Sequence, residues 1–235
     1  MKRHPSLTDC GSCTLRRRSV LCDLAEQDIA AFQAMMHVFC YESRQTVFYE
    51  GHASLGLYVL CAGRVKLTRT GVSGQRQIVG LLDAGEVIEK HAFKEPALHE
   101  VACETLAPSQ VCVIEREPYL ALVRRNGELA IKIIGLLSSE VVRQMDQMDR
   151  FAFLTARQRL AGLLLELDDR FGARRVGVSP VEVALTREEV AALTGVAMET
   201  AIRLLGEFRD EGLVQLDGRK ITLLQPDRLT RIART

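Results

Sequence analysis

The segment ELAIKIIGLLSSEVVRQMDQMDR, residues 128–150, decides how the rest of the chain is read. It has no proline and no glycine after Gly135, and its apolar side chains Ile134, Leu137, Val141, Met145 and Met148 recur at intervals of three, four, four and three residues. That spacing predicts a long helix carrying a narrow apolar seam, whereas a helix buried in a globule shows a wide apolar face. A narrow seam suits pairing with a second copy of the same helix across a two-fold axis. On pattern alone the alternative is a helix lying on its own domain.

Before this helix the texture is β-rich. From about Phe39 to Glu117, short runs such as TVFYEG (46–51), LGLYVLCAGRVKLTR (55–69), QRQIVGLLDAGEVI (75–88) and SQVCVIE (109–115) alternate with glycines and turn signals. Evenly spaced short strands predict a compact antiparallel barrel or jelly roll. A short amphipathic helix is expected at Leu24–Met36, and ahead of it lies a polar arm holding Cys10, Cys13 and Cys22, with Arg16, Arg17 and Arg18 among them.

Beyond the long helix, TARQRLAGLLLELDDRFG (155–172) offers Thr155 as an N-cap, an apolar face of Leu160, Leu163, Leu164 and Leu167, and Gly172 as a C-cap. VEVAL (181–185) reads as a short strand. Thr186 followed by Glu189 makes a capping box opening the next helix, Thr194-Gly195 breaks it, and a further helix is expected over Met198–Asp210. Two strand-like runs around Asp217-Gly218 form a hairpin signal. Helix, tight turn, helix and hairpin is the winged helix-turn-helix layout. The expected segments are therefore an arm at 1–24, a β-rich sensor at 25–126, a dimerisation helix at 127–151 and a winged helix-turn-helix at 152–235, an α+β chain overall.

On a recognition helix over Met198–Asp210, Glu199, Ile202 and Arg203 share one face. Arginine presents a bidentate fork to guanine, glutamate accepts from cytosine, and an aliphatic side chain touches the thymine methyl. The competing reading of Glu199 and Arg203 is a surface ion pair at helical spacing. Arg187, Arg209, Arg219 and Lys220 are candidate phosphate contacts, which supply affinity without sequence information.

Bulk composition is compatible with this. A chain of 235 residues accommodates two domains with their own cores, and 47% hydrophobic with 26% charged residues is ordinary for a soluble globule. A formal net charge of +1 means that any DNA binding comes from a local patch. The start, MKRHPSLTDC, has no apolar signal core, and no stretch approaches the roughly 18 apolar residues of a membrane span, so a cytoplasmic location is expected. In that compartment seven unevenly spaced cysteines do not read as a disulfide framework, which leaves metal, redox chemistry or packing. No Walker loop, dinucleotide fingerprint, HExxH or serine elbow is present. An enzyme or iron–sulfur electron carrier would also leave the winged helix-turn-helix unexplained.

With REEVAALTG (187–195), ETAIRLLGEFRDEGLV (199–214), the wing and the long helix together, the chain resembles the Crp/Fnr superfamily of bacterial transcription regulators over nearly its full length. The resemblance implies a cyclic-nucleotide-type β-roll as the sensor, a homodimer on palindromic double-stranded DNA, and RNA polymerase as a partner. Nucleotide-binding members hold phosphate with a Gly-Glu turn and a downstream Arg-Ser or Arg-Thr pair. Gly85-Glu86 matches the turn, but His99-Glu100 stands at the pair, where a carboxylate would repel phosphate, so cyclic nucleotide is not expected.

Cys10-x2-Cys13-x8-Cys22 and the distant Cys112 resemble the four ligands of the oxygen-labile 4Fe–4S cluster in the Fnr-like branch. Such clusters take four thiolates, commonly three close together and one remote. Zinc, a thiol switch and an unligated arm remain alternatives, the last leaving a regulator whose effector is a small organic molecule or a haem-bound gas. Cys40, Cys61 and Cys103 read as small buried residues, with Cys103 the one competitor for the fourth ligand. His37, His52 and His91 read as surface or packed residues rather than haem ligands. The chain departs from the Fnr pattern in the longer interval before Cys22, in Ile202 where Fnr has serine, and in Gln144 where Fnr has an acid on the dimer helix.

Overall fold

A computed structural model describes residues 2–3, 13, 19, 22–89, 94–171, 179–181 and 185–234. The chain divides into two compact units, Met1–Val142 and Arg143–Thr235.

The first unit holds strands β1 (Lys2–Arg3), β2 (Met36–Tyr41), β3 (Thr46–Phe48), β4 (Gly56–Ala62), β5 (Arg64–Thr70), β6 (Arg76–Asp83), β7 (Ala102–Thr105) and β8 (Ser109–Glu115), with helices α1 (Glu26–Ala34) and α2 (Arg116–Arg125). They form two four-stranded sheets, β1-β2-β8-β4 and β3-β7-β5-β6, in which every pairing is antiparallel. The expected first helix is shorter than its pattern suggested, because Met36 already pairs with Ile114 as the first residue of β2.

Strand β8 explains the core. Its central run, Val111-Cys112-Val113-Ile114, is apolar without alternation, as a strand buried on both faces requires. Val111 and Val113 join a cluster with Phe48, Tyr58, Leu60, Val65, Leu82 and Cys103, drawn from both sheets. Cys112 and Ile114 point the other way and join Val38, Val59, Phe32 of α1, and Tyr119 and Leu122 of α2. Leu129 and Ile133 of the long helix α3 (Gly127–Phe153) complete that second cluster. Asn126 starts α3 by accepting from the Leu129 N–H at 3.0 Å and donates to Asp28 of α1 at 3.3 Å.

The second unit contains α4 (Ala156–Phe171), β9 (Ser179–Val181), α5 (Arg187–Thr194), α6 (Met198–Asp210), β10 (Val214–Asp217), β11 (Lys220–Leu223) and α7 (Pro226–Arg234). The Thr155 N–H donates to Gln158 Oε1 at 2.7 Å and the Gln158 N–H to Thr155 Oγ1 at 3.3 Å, a reciprocal cap for α4. Leu160, Leu164 and Leu167 of α4 are buried as expected, while Leu163 is half-buried. Gly172 lies outside the described residues. The strand expected over 181–185 is found at Ser179–Val181 as the third strand of the wing sheet, β10-β11-β9, and residues 182–184 are outside the described set. Helix α7, opened by Pro226 and anchored by buried Leu229, has no counterpart in the sequence reading. Among the described residues no helix is long and apolar enough to cross a membrane.

Candidate nucleic-acid interface and cysteine-bearing core

The reader is built from local signals. Helix α5 opens on Thr186, whose Oγ1 accepts from the Glu189 N–H at 3.1 Å while Glu189 Oε2 accepts from the Thr186 N–H at 2.8 Å. It closes on Gly195 at φ 68°, a left-handed conformation that costs glycine little. A Cβ at that position would also lie 2.3 Å from Cε1 of Phe151. Arg159 fastens the turn from beneath. It donates to the Thr194 carbonyl at 2.9 Å and the Leu154 carbonyl at 2.8 Å, and its guanidinium lies 5.2 Å from the Phe151 ring centroid. Sequence reasoning missed this clamp, since nothing local marks an arginine on α4 as a partner of a turn 35 residues away.

Helix α6 occupies the span expected of it. Ala201, Leu204, Leu205 and Phe208 are buried, and Glu199, Ile202, Arg203 and Arg209 lie on the exposed side. The ion-pair partner of Arg203 is Glu207, one turn onward, and not Glu199. Glu207 also accepts from Arg157, which reaches Glu211 at 2.7 Å and lies over the Phe208 ring at 4.8 Å. Arg203 is therefore oriented by an acid that is itself held in place.

The candidate phosphate contacts divide. Arg219 and Lys220 are exposed at the tip of the β10–β11 hairpin. Arg209 is exposed and engages Asp210 at 2.9 Å. Arg187 is half-buried, donates from Nη2 to the Gly218 carbonyl at 3.1 Å, and has a buried Nη1 with no hydrogen-bond partner. It ties α5 to the wing turn and is not presented as a free surface cation.

On α3, the seam residues Ile134, Val141, Met145 and Met148 are 61%, 59%, 60% and 71% exposed, a row of apolar surface on a helix whose Leu129 and Ile133 are buried in its own domain. Leu137, grouped with them on spacing, instead packs against the core beneath α3. Ile131 and Val142 extend the exposed apolar surface.

Of the expected cluster ligands, Cys112 is buried, Cys22 is half-buried, Cys13 is exposed and Cys10 lies outside the described residues. Cys22 and Cys61 border the core cluster that contains Cys112, whereas Cys103 belongs to the other cluster. Burial and the neighbouring carboxylates of Glu89 and Glu104 push the Cys103 thiol far up, which suits a packed thiol rather than a thiolate ligand. Cys61, read from sequence as packing alone, donates from Sγ to the Val59 carbonyl at 3.8 Å, and the neighbouring Cys112 holds the Cys61 thiol below its ordinary value. The donor chemistry of Cys22 and Cys112 fits a soft iron–sulfur group. Among the described residues, no three Cys, His, Asp or Glu side chains gather closely enough to hold a metal ion.

The residue facing His99-Glu100 is Glu89, and not the Gly85-Glu86 turn. Glu89 and His99 are almost wholly buried, with Oε2 2.5 Å from Nδ1, and Glu89 Oε1 accepts from the Glu100 N–H at 2.8 Å. His99 stacks on Phe48 with ring centroids 3.8 Å apart. Glu86 accepts instead from the Asp83 N–H at 2.7 Å. His37 meets Glu115 at 2.9 Å, His52 lies beside Tyr49, and His91 is outside the described residues.

Comparison with known proteins agrees with both halves of this architecture. Residues 38–126 match the model for the cyclic nucleotide-binding domain, and residues 158–232 match that for the Crp-like helix-turn-helix domain. The chain is 30% identical over 191 residues to the fumarate and nitrate reduction regulatory protein of Escherichia coli, covering 80% of this chain and 75% of that one. It is 24% identical over 220 residues to a CRP-like cAMP-activated global transcriptional regulator of Mycobacterium tuberculosis, covering 94% and 98% of the two chains. In fold it is similar to the c-di-GMP responsive global regulator CLP of Xanthomonas campestris, at a TM-score of 0.73 and 24% identity, over 85% of this chain and 99% of that one. The protein is a DNA-binding regulator of transcription built from a β-rich domain, a long helix and a helix-turn-helix. It belongs to the Crp/Fnr family.

Proposed function

We propose that this regulator is a homodimer that reads palindromic DNA and responds to oxygen or redox state through a 4Fe–4S cluster held by Cys10, Cys13, Cys22 and Cys112. The observation that carries this reading is a shared core. Cys22 and Cys112 border the same cluster as Leu129 and Ile133, the buried face of the helix whose opposite side exposes the apolar seam. Beside Cys22, Asp23 Oδ2 lies 2.5 Å from Nζ of Lys132 on α3. A bound cluster would supply an oxidisable cross-link between the arm and β8. The residues then do the rest. Cys112 is fixed in a strand paired on both sides, Cys22 anchors the arm, and Asp23 and Lys132 join the arm to α3. Ordering the arm favours one disposition of α3, and the seam pairs in that state, a shift of population set by differential affinity. Two copies of α6 then enter successive major grooves about 34 Å apart.

Cyclic nucleotide is not the effector in this reading. His99 and Glu100, which stand where the resemblance places the phosphate-holding pair, are engaged instead by the buried carboxylate of Glu89, through the His99 ring and the Glu100 N–H. The test is Cys112→Ser, purified without oxygen beside Cys103→Ser. Loss of bound iron and sulfide in the first and retention in the second is expected. Iron and sulfide retained in Cys112→Ser would overturn the ligand assignment.

A further inference from the structure

We infer that Cys61 and Cys112 form a redox-active dithiol, closed to a disulfide by exchange with a low-molecular-weight disulfide of the glutathione class. The strand register places them together. Val59 pairs with Cys112 and Leu60 with Val111, after which β4 carries an extra residue before Ala62 pairs with Gln110. That extra residue is Cys61. Side chains alternate along β4, so Cys61 shares a face with Val59, on the Cys112 side of the sheet, and it packs against the core cluster to which both Val59 and Cys112 belong. A bulge has no ladder partner to lose, and the strand can bend there to bring the sulfurs to the bonded separation of about 2.05 Å. Cys103, the other buried thiol of the sheets, faces the opposite cluster and has no such neighbour in the pair.

The two thiols differ in access, which sets the order of events. Cys61 is half-buried and Cys112 is 2% exposed. The Cys61 sulfur, having released its proton, attacks one sulfur of the small disulfide. A mixed disulfide forms and one small thiolate leaves. The Cys112 sulfur then attacks the Cys61 sulfur, closing the internal disulfide and expelling the second small thiolate, which takes up the Cys112 proton. Two protein thiols are oxidised and one small disulfide is reduced to two thiols. The pair needs no cluster. If Cys112 also ligates iron, closure withdraws that ligand and gives the sensor a second oxidising input.

The experiment uses the full chain, with iron measured first, then stripped by chelator under thiol reductant and transferred to oxidised glutathione without air. Free thiols are alkylated and the digest is mapped by mass spectrometry. A linked peptide pair joining Cys61 and Cys112, two hydrogens lighter than the reduced peptides, is expected and should fall to background in Cys61→Ser. Linkage of Cys112 to Cys22 or Cys103, or complete alkylation of Cys61 and Cys112 in the wild-type chain, would overturn the inference. The initial iron content reports on the cluster separately, so either idea can fail without the other.

Discussion

Arg203 is exposed on α6, where the proposed reader would take its specificity, and Gly195 sets the turn before that helix. Arg203→Ala should weaken binding to the cognate site by about 1–3 kcal/mol and relax preference at one base pair, measured against random DNA at fixed salt. An unchanged ratio of specific to random affinity would contradict its role. Arg219→Ala should instead lower affinity for all sequences alike and reduce the salt slope by about one. Gly195→Ala meets both a positive φ and the Phe151 ring, and should lower the stability of the second unit by about 1–3 kcal/mol, read from thermal unfolding. Residue types and their spacing already pointed to Glu199, Ile202 and Arg203, because a face at i, i+3 and i+4 is a local property. The Glu207 brace, the Arg159 clamp and the Glu89 carboxylate beside His99 were not legible, since each partner is chosen by packing between elements.

Elements whose boundaries depend on caps and turns were the most legible. The Thr186–Glu189 box, the left-handed Gly195 and the Asp217-Gly218 hairpin each specify their own local geometry, and α6 spans the expected residues. Thr186→Ala should cost about 1 kcal/mol, measured by chemical unfolding. Helix α7 escaped notice because its anchor Leu229 gains meaning only once folded. Helix α3 shows both the strength and the limit of periodicity. Spacing found the row of Ile134, Val141, Met145 and Met148, but could not show that Leu137 turns inward to the core. Met145→Asp places a charge in the exposed row. It should raise the dimer dissociation constant by at least about tenfold, equivalent to about 1.4 kcal/mol, in analytical ultracentrifugation. An unchanged association would remove the seam from the dimer.

At the scale of the whole chain, one apolar cluster contains Cys112, is flanked by Cys22 and includes Leu129 and Ile133 of α3, and in the function proposed above it is the link between sensor and dimer helix. Sequence spacing grouped Cys10, Cys13 and Cys22 because they are neighbours in the chain. In the proposed cluster the fourth ligand depends on which face of the sheet a remote cysteine occupies, and the sheet places Cys112 with Cys22 and Cys103 elsewhere. The most direct test is to purify the protein without oxygen, determine iron and sulfide, and measure specific DNA affinity in the same sample before and after air. The account predicts about four irons and four sulfides per chain, visible absorption that bleaches in air, and a matching fall in affinity. Iron-free protein, even after cluster reconstitution, that binds its site equally well in both conditions would contradict it.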